Sequence, residues 1–541
     1  MKPKLLRMIE RKEITKERVL KDIIAGIIVA IIALPLSVAL GISSGVSPEK
    51  GLITAIIAGF LISFLGGSRV QIGGPTGAFV VIVYGIIQSY GIEGLIISTI
   101  MAGIILIVLG LLRFGSVIKF VPHPITVGFT SGIAITLLST QVKDFLGLSI
   151  DKVPAEFIGK WEAYFAHLNT FNLIAFLVGF GSLLIMILWP KINKTIPGSL
   201  VALIVATLVV NIFNLPVETI GSRFNNISST IPVPMLPKVS FDTIKNLLSP
   251  ALTIAILAAI ESLLSAVVAD GMIGGKHDSN MELIAQGVAN VASGLFGGIP
   301  ATGAIARTAA NVKNGGRSPI SGIVHAVTLL LIMLVFMPLA KLIPMTTLGA
   351  ILILVSYNMG EWKTFYSLLK APKSDVAILL ITFFLTVVFD LVVAIEIGMV
   401  LAMFLFMKRI ADTTKIETMV LCSEGEDEQV RDDNSKDNIL VYEINGPLFF
   451  GIVHNFMDVM KEINSSYEVL ILDMKNANAI DSTAMEALEN LYKRCEKHNI
   501  KLLLANIQEQ PHKVLKGMGF LKLVGEEAIF DDREEALKSV A

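Results

Sequence analysis

The chain has 541 residues, of which 53% are hydrophobic and only 16% are charged. Its 44 basic and 45 acidic residues nearly cancel, so the formal net charge is −1. This composition excludes an ordinary soluble enzyme and provides no basic surface for nucleic acid. It is typical of a multi-pass membrane protein with a more polar part attached.

The first 21 residues are charged and no cleavage site follows them, so they are predicted to be a cytoplasmic N-terminal segment rather than a signal peptide. Residues 22–411 are predicted to form a transmembrane domain of fourteen segments. Several segments are shorter than the roughly 20 residues that a full span needs, and these are expected to be half-helices or tilted re-entrant pieces. The segments lie near 23–42, 51–66, 75–90, 94–112, 125–142, 172–189, 198–214, 250–269, 281–296, 303–312, 318–338, 345–358, 375–389 and 391–410.

The connections between segments indicate the orientation in the membrane. Every connection after an even-numbered segment carries Lys or Arg, from Arg69 after the second to Lys373 after the twelfth. Cytoplasmic connections are enriched in these residues. Connections 143–160 and 223–245, on the other side, also hold basic residues, but beside acidic ones. The predicted topology is a multi-pass protein of the inner or plasma membrane with both termini in the cytoplasm.

Two similar motifs interrupt the apolar segments. GGPTGA at 73–78 opens the third segment and GGIPATGA at 297–304 opens the tenth, which is the third of the second half. Each half has seven segments, and an odd number of crossings makes the second half begin on the opposite side of the membrane. We therefore predict inverted repeats of seven plus seven segments. Gly/Pro breaks at matching places in such repeats indicate a substrate site near the midplane. Helix N-termini with free N–H groups suit an anion there.

The chain changes character after residue 411. Residues 412–437 are polar and acidic and are predicted to be a linker. From 438 to 541, short apolar runs alternate with amphipathic helical patterns, which indicates a small soluble α/β domain on the cytoplasmic side. The two cysteines, Cys422 and Cys495, both lie after residue 411, and a structural disulfide is not expected in a reducing compartment.

Three stretches carry a resemblance to a known family. Residues 276–326 resemble the signature of the SulP (sulfate permease) family of solute-carrier anion transporters, and 22–52 resemble its first helix and following loop. The sequence LILDMKNANAIDST at 470–483 resembles the STAS domain, a module related to anti-sigma-factor antagonists. The resemblance implies the uracil-permease type of inverted-repeat fold. In that fold a core domain, segments 1–4 and 8–11, carries substrate past a gate domain, segments 5–7 and 12–14.

The breaks and the resemblance together predict a substrate site. Backbone N–H groups at the start of segments three and ten are expected to face each other, and the family places an aromatic residue beside the anion. Arg307 would project positive potential into the site, although it could instead extend to the cytoplasmic end or pair with Glu261. Phe79 could equally serve helix packing. The candidate substrate-binding residues are Ser37, Thr76, Gly77, Ala78, Phe79, Ala304, Ile305, Ala306 and Arg307.

One candidate position departs from the family pattern. Family members often have a glutamine directly after the proline of the first segment, whereas Pro35 is followed here by Leu36 and then Ser37. A polar contact is therefore missing or shifted. Inference of the substrate from that position is correspondingly weaker.

Glu261 is the candidate coupling residue, with Ser265 and Gly303 completing a coupling-ion site. An acid within an apolar segment must face a polar cavity or be protonated, and it could also cap a broken helix. It resembles the family's acid associated with the coupling cation. Members that look sodium-dependent have aspartate there, threonine one turn on and a further hydroxyl on segment ten. Glu261, Ser265 and Ile305 occupy these positions, so we expect proton rather than sodium coupling.

The predicted function is secondary active transport of small anions of the sulfate, bicarbonate or dicarboxylate class, by proton symport with an elevator-like movement. Alternatives are a sodium-coupled bicarbonate transporter, a passive anion channel or exchanger, a nucleobase permease of the same fold, and a sensor that signals through its STAS domain. No enzyme chemistry, cofactor or metal site is expected. The expected partners are the anion, the lipid bilayer and a second copy in a homodimer.

Asp481 and Ser482 occupy the place of the phosphorylation site in anti-sigma-factor antagonists. Phosphate on Ser482 would sit at a helix N-terminus. The alternative is that Ser482 simply caps the helix, with Glu486 supporting the first turn. The domain is expected to regulate transport or support dimerisation rather than to contribute to the anion site.

Overall fold

The computed structural model describes residues 2–540 except 117–120, 194–195, 225–226, 231, 238–239, 390, 414, 422–438 and 452–466. The chain divides into two compact units, Met1–Val400 and Leu401–Ala541. The first is helical and the second contains a five-stranded sheet. The predicted class, a helical membrane part followed by a small α/β domain, is therefore confirmed. Most of the predicted linker and Cys422 lie outside the described residues.

Up to residue 413, the described residues form eighteen α-helices, and seven stretches of this region are long and apolar enough to cross a membrane. The helices are α1 (Lys4–Glu10), α2 (Lys16–Ser43), α3 (Pro48–Leu65), α4 (Gly77–Leu111), α5 (His123–Thr140), α6 (Val142–Leu146), α7 (Phe157–Ala166), α8 (Leu173–Ile192), α9 (Gly198–Ile212), α10 (Ile220–Arg223), α11 (Phe241–Ile273), α12 (Ser279–Leu295), α13 (Ile305–Lys313), α14 (Ile320–Ala340), α15 (Met345–Met359), α16 (Trp362–Leu368), α17 (Lys373–Val388) and α18 (Leu391–Thr413).

Each of the fourteen predicted segments coincides with one helix or with half of one. Helix α4 covers segments three and four and is kinked at Gly91, whose φ of 70° lies in the left-handed region. Helix α2 begins at Lys16, earlier than the predicted start at 22, because Thr15 caps it. The Thr15 hydroxyl accepts a hydrogen bond from the N–H of Arg18 at 3.3 Å.

Small residues let the helices of the first unit approach closely. A Cβ atom at Gly103 of α4 would lie 2.6 Å from the carbonyl oxygen of Gly287 of α12, so the two backbones touch there. Helix α4 packs against α11 and α12, while α2 and α3 pack against α14. Helices α5 and α8 pack mainly against α17, α15 and α9. These two groups correspond to the predicted core and gate domains.

The two Gly/Pro motifs meet in space. Strand β1 (Gly73–Gly74) pairs antiparallel with β2 (Thr302–Gly303), with Gly73 opposite Gly303. A Cβ atom at Gly303 would collide with the side-chain amide of Gln71, so the close approach requires glycine there. Helices α4 and α13 begin directly after this pair. The breaks of the two halves therefore form a single site, as expected for inverted repeats.

Buried amide side chains hold these breaks in place. Asn290 of α12 donates a hydrogen bond from Nδ2 to the carbonyl of Ala301, and its Oδ1 accepts one from the N–H of Ala301, both at 2.8 Å. Asn311 of α13 donates to the carbonyl of Val70 at 2.8 Å. Both asparagines are fully buried. Part of the polar backbone of the breaks is thus hydrogen-bonded by the protein itself, as a low-dielectric environment favours.

The second unit contains a sheet with strand order β3-β4-β5-β6-β7, in which β3 is antiparallel to β4 and the other neighbours are parallel. Helix α19 packs its apolar side, including Leu488 and Leu491, into a core with Leu470 and Leu472 of β5. Strand β3 falls within the predicted linker, so part of that segment is ordered as strand. The elements are β3 (Lys415–Leu421), β4 (Ile439–Asn445), β5 (Val469–Asp473), α19 (Ser482–Lys497), β6 (Lys501–Ala505), α20 (Glu509–Gly517), α21 (Phe520–Val524), β7 (Ile529–Phe530) and α22 (Arg533–Lys538).

Candidate functional site

Glu261 lies midway along α11 and contacts the first break. Thr76, the N-cap residue of α4, donates a hydrogen bond from Oγ1 to Oε2 of Glu261 at 2.8 Å. Because this hydroxyl is directed to the carboxyl group, it does not cap its own helix. The Glu261 side chain is partly buried and is anchored to the break by this bond.

Arg307 lies in the first turn of α13 and is 2% exposed. Its Nη2 donates to the carbonyl oxygen of Pro75, which joins the second break to the first. Gly74, with φ of 152°, leaves the room for the guanidinium, since a Cβ atom there would meet Nη1. Among the described residues, Nε and Nη1 of Arg307 have no hydrogen-bond partner. Between described atoms, no ion pair or hydrogen bond joins Arg307 directly to Glu261.

Backbone N–H groups without described partners lie at the starts of α4 and α13, the two helices that follow the breaks. The N–H of Ala304 donates to the carbonyl of Ile72 at 2.8 Å and is therefore not free for an anion. This differs from the expectation for Ala304, because the strand pairing extends one residue further than the motif shows. The other predicted N–H groups have no hydrogen-bond partner in the described structure. They belong to Thr76, Gly77, Ala78, Ile305 and Ala306.

Ser265, one turn beyond Glu261, does not contact that carboxyl group. It donates from Oγ to Oγ1 of Thr308 at 3.3 Å, and Thr308 also accepts from the N–H of Ile72 at 3.0 Å. Sodium-dependent members were expected to have a further hydroxyl on segment ten, where this chain has Ile305. Thr308, on the same segment, supplies such a hydroxyl. These polar residues of α11 and α13 thus form a hydrogen-bonded layer with the segment that precedes the first break.

Gln71 and Ser262 extend this layer and were not predicted from the sequence. Nε2 of Gln71 donates to the carbonyl of Ser262 at 3.2 Å, and the N–H of Gly303 donates to Oγ of Ser262 at 3.3 Å. The only signal in the sequence is the presence of polar residues within apolar segments. The candidate coupling residue Gly303 thus lies against α11 through its backbone.

Two predicted residues lie in packing environments. Phe79 is 1% exposed and belongs to an apolar cluster with Ile254 and Leu257 of α11. Ser37 is fully buried in α2, where its carbonyl oxygen lies against Gly51 of α3. No described hydrogen bond joins Ser37 to Thr76, Glu261 or Arg307, and its hydroxyl has no described partner.

The other buried carboxylates of this unit serve the ends of helices. Glu282 of α12 accepts hydrogen bonds from the N–H groups of Gly67 and Ser68, at 2.8 and 3.1 Å, after the end of α3. Asp22 of α2 accepts from the N–H of Arg317 at 2.7 Å, just before α14. Glu261 differs from both because it bonds to a side chain of the broken segment.

Ser482 is exposed and is the first residue of α19. The helix is capped by Asp481, whose Oδ1 accepts from the N–H of Ala484 at 2.8 Å. The alternative in which Ser482 itself is the N-cap is therefore wrong, because the aspartate one residue earlier has that role. The serine hydroxyl has no capping function to lose on modification.

The fold and site define a class: a multi-pass membrane transporter whose paired helix breaks carry unpaired N–H donors and a buried arginine, with an attached α/β domain. Residues 19–382 match the model of the sulfate permease family, and residues 432–536 match that of the STAS domain. The chain belongs to the sulfate permease family. Its members are anion transporters rather than enzymes.

Curated relatives cover most of the chain. The "Putative sulfate transporter YvdB" of Bacillus subtilis is 42% identical over 494 residues, which span 90% of this chain and 91% of that protein. The "Bicarbonate transporter BicA" of Synechocystis is 30% identical over 507 residues, spanning 90% of this chain and 88% of that protein.

Solved structures share the fold. The murine Solute Carrier 26 family member A9 anion transporter superposes with a TM-score of 0.87 at 18% identity, covering 99% of this chain and 93% of the other. The transmembrane domain of a cyanobacterial bicarbonate transporter, BicA, gives a TM-score of 0.63 at 30% identity, covering 72% of this chain and 98% of the other.

Proposed function

We propose that this protein is a secondary active transporter of a small oxyanion of the sulfate, bicarbonate or dicarboxylate class. The anion would bind between the starts of α4 and α13, where Arg307 supplies the positive charge. The observation that carries this proposal is the burial of Arg307 together with its unpartnered donor groups. The arginine is fully buried between the two breaks, yet Nε and Nη1 lack described partners. A buried guanidinium with free donors is suited to an oxyanion.

The names of the relatives support the class of substrate and leave the anion open. One is described as a putative sulfate transporter and another as a bicarbonate transporter. Both anions present oxygen atoms that the unpaired N–H groups of Gly77, Ala78, Ile305 and Ala306 could bind. The choice between them is a matter for measurement.

We propose that Glu261 carries the coupling proton. Its half-buried carboxyl group touches Thr76 at the substrate site and has no direct ion pair in the described structure. Protonation would remove a negative charge beside the bound anion, so the proton and the anion would favour each other's binding. Symport follows from that coupling.

Sodium coupling is the second candidate, and Thr308 favours it. The hydroxyls of Ser265 and Thr308 lie 3.3 Å apart, one turn beyond Glu261 on α11 and in the first turns of α13. Hydroxyl and carboxyl oxygens are the hard ligands that small cations prefer. Thr308 thus provides on α13 the hydroxyl that Ile305 lacks.

Uptake by purified protein in liposomes distinguishes these functions. Labelled sulfate, bicarbonate and succinate are offered with an imposed proton gradient, with and without sodium, and uracil is offered in parallel. We expect one anion to accumulate against its gradient when protons flow inward, and Glu261→Gln to abolish this accumulation. Glu93→Gln, which changes an exposed acid of α4, is the matched control and should behave like the wild type.

Other outcomes select the alternatives. Uptake that needs sodium at fixed pH and ignores the proton gradient would establish sodium coupling. Equilibration without accumulation would establish a channel or exchanger. Transport of uracil alone would assign the protein to nucleobase permeases, whereas absence of all uptake would contradict the proposed transport of these anions.

We further propose an elevator-like movement. The candidate residues of α4, α11 and α13 all belong to the core group of helices, so the site would travel with that group past the gate. Ile82 of α4 and Ile133 of α5 face the same cavity from the two groups. Cysteines at these positions, with both native cysteines changed to serine, should stop transport when oxidised and restore it when reduced. Undiminished transport after complete crosslinking would contradict the movement.

We also propose a homodimer in the plasma membrane with both termini in the cytoplasm. The basic residues after even-numbered segments support this orientation. Single cysteines at Lys152 and Lys276 should react with an impermeant maleimide from opposite sides of the membrane. Light scattering of the purified protein measures the oligomeric state, and a monomeric mass with full activity would exclude the dimer as the working unit.

A further inference from the structure

Lys160 occupies an unusual environment for a lysine. It lies in α7, in the connection between α5 and α8, and is 3% exposed. Lysine is almost never buried to this extent without a partner. Among the described residues, however, no hydrogen bond or ion pair involves its ammonium group. Its backbone N–H donates to the carbonyl of Glu156 at 3.0 Å.

Lys160 lines a cavity of about 400 Å³. Ala78, in the first turn of α4 and within the candidate anion site, lines the same cavity. Helices α5, α11 and α17 contribute polar but uncharged lining residues, including Thr136, Thr253 and Thr386. The cavity thus extends from the lysine to Ala78, one of the candidate anion-binding residues.

We propose that Lys160 is the anion-recruiting residue of this cavity: it binds a small oxyanion transiently and delivers it to the site at α4 and α13. The inference rests on the proposed anion transport and adds a residue and an access route to it. Under the proposed topology, the cavity lies on the outer side of the membrane.

The chemistry of the ammonium group supports this role. Three N–H donors without protein partners are satisfied by an oxyanion, and the weakly polar walls of a cavity strengthen attraction between opposite charges. A permanent partner such as a carboxylate would cancel the effect, and no described carboxylate bonds to Lys160. An anion drawn to the lysine then meets the stronger, buried donors of Arg307.

The recruiting charge is expected to depend on pH. Burial lowers the pKa of Lys160 to about 8. The amine is therefore charged below that pH and becomes neutral above it, so anion affinity should fall as the pH rises through this value. Glu156 and Tyr90 are the other titratable residues that line the cavity, and no described hydrogen bond or ion pair joins their side chains to the ammonium group of Lys160. The lining residues from α5, α11 and α17 carry no charge.

Uptake kinetics of liposome-reconstituted protein test the proposal with sulfate and bicarbonate as probes, at pH 7 and pH 9. Lys160→Gln should raise KM about fivefold to tenfold at pH 7 with little change in kcat. The reason is that a recruiting charge increases the rate at which the anion reaches the site and does not affect the later steps of transport. Lys160→Arg should keep the low KM at both pH values, since arginine stays charged. Lys152→Gln, an exposed lysine of the same connection, is the control and should match the wild type.

A second measurement does not depend on transport. Reductive methylation of the wild type, followed by mass spectrometry, reports the reactivity of Lys160 as a function of pH. Sulfate should protect Lys160 and leave Lys152 unaffected. An unchanged KM for Lys160→Gln, or a loss of kcat alone, would overturn the proposal, as would labelling of Lys160 that sulfate does not slow.

The two proposals fail in different ways. If neither the wild type nor Lys152→Gln takes up any of the anions, the proposed transport function fails. If both transport normally and Lys160→Gln does too, only the recruiting role fails. Should Lys160→Gln not fold, the arginine variant and the labelling of the wild type still decide the matter.

Discussion

Thr76 and Glu261 are joined by a hydrogen bond of 2.8 Å, although 185 positions separate them in the chain. Thr76 ends the break of the first half, whereas Glu261 lies on the first helix of the second half. The carboxyl group is thereby fixed at the start of α4, where the free N–H groups lie. A change in the charge of Glu261 would therefore act directly on the proposed anion site.

Thr76→Val should weaken coupling, because it removes the donor that orients Glu261 while keeping the shape of the side chain. We expect uptake driven by the proton gradient to fall about tenfold, and Thr76→Ser to retain most of it. Thr99→Val is the matched control, since the Thr99 hydroxyl bonds only to the carbonyl of Leu95 in its own helix. Equal effects of the two valine variants would show that the Thr76 hydroxyl has no special role.

Arg307→Lys should lose anion affinity even though the charge is kept. Lysine has a single nitrogen in place of the planar guanidinium fork, so it cannot bond to the Pro75 carbonyl through one nitrogen while two other nitrogens face an oxyanion. We expect KM to rise at least about tenfold. Arg113→Lys, at an exposed position, should have no effect. Normal kinetics of Arg307→Lys would contradict the role of the guanidinium.

Asn290→Ala should destabilise the first unit without touching the proposed anion ligands. Two hydrogen bonds to the backbone of Ala301 are lost, and both partners stay buried. The expected cost is about 3 kcal/mol, measured as a lower melting temperature in detergent. In the control Asn314→Ala, only a bond to the carbonyl of Ala310, within its own helix, is lost. Similar melting temperatures for the two variants would show that the hydrogen bonds from Asn290 to Ala301 do not stabilise the break.

Cys495 should be inert in the folded STAS domain. It is 1% exposed, and burial raises the pKa of its thiol to about 11. Because the thiolate is the reactive form, iodoacetamide at pH 8 should label it only after denaturation. The experiment uses Cys422→Ser, so that a single thiol remains. Rapid labelling of the native protein would show that the domain opens there.

Removal of the C-terminal domain should alter abundance or rate without changing which anion is transported. Strand β3 pairs with β4 along its whole length, so a deletion beginning at residue 438 would leave β3 exposed as an unpaired edge. A deletion of 415–541 avoids this. An altered order of anion preference in competition uptake would show that the domain contributes to the site.

Much of the architecture could be predicted because it depends on local patterns. Apolar runs mark each membrane helix, and the two Gly/Pro motifs mark the places where helices must break. Matching positions in two halves then indicate that Gly73–Gly74 and Thr302–Gly303 belong to one site. These features need no knowledge of distant contacts.

The finer layer of the site depends on contacts that no local pattern encodes. The partner of Gln71, Ser262, is 191 positions away, and Thr308 becomes relevant only when α13 packs against α11. The Ala304 N–H is unavailable to an anion because it donates to the carbonyl of Ile72 across the breaks. Lys160 looks like any loop lysine until the packing of α7 against α5 and α17 buries it.

The pairing of Gly73 with Gly303 has a consequence for the origin of the molecule. Neither half of the membrane unit contains a complete site. Each half contributes one break, and the backbone of that break pairs with the break of the other half. A half-length ancestor could have bound an anion here only by associating with a second copy inserted in the opposite orientation. Fusion of the two genes would have made that association permanent and freed the halves to diverge, one toward Thr76 and the other toward Arg307.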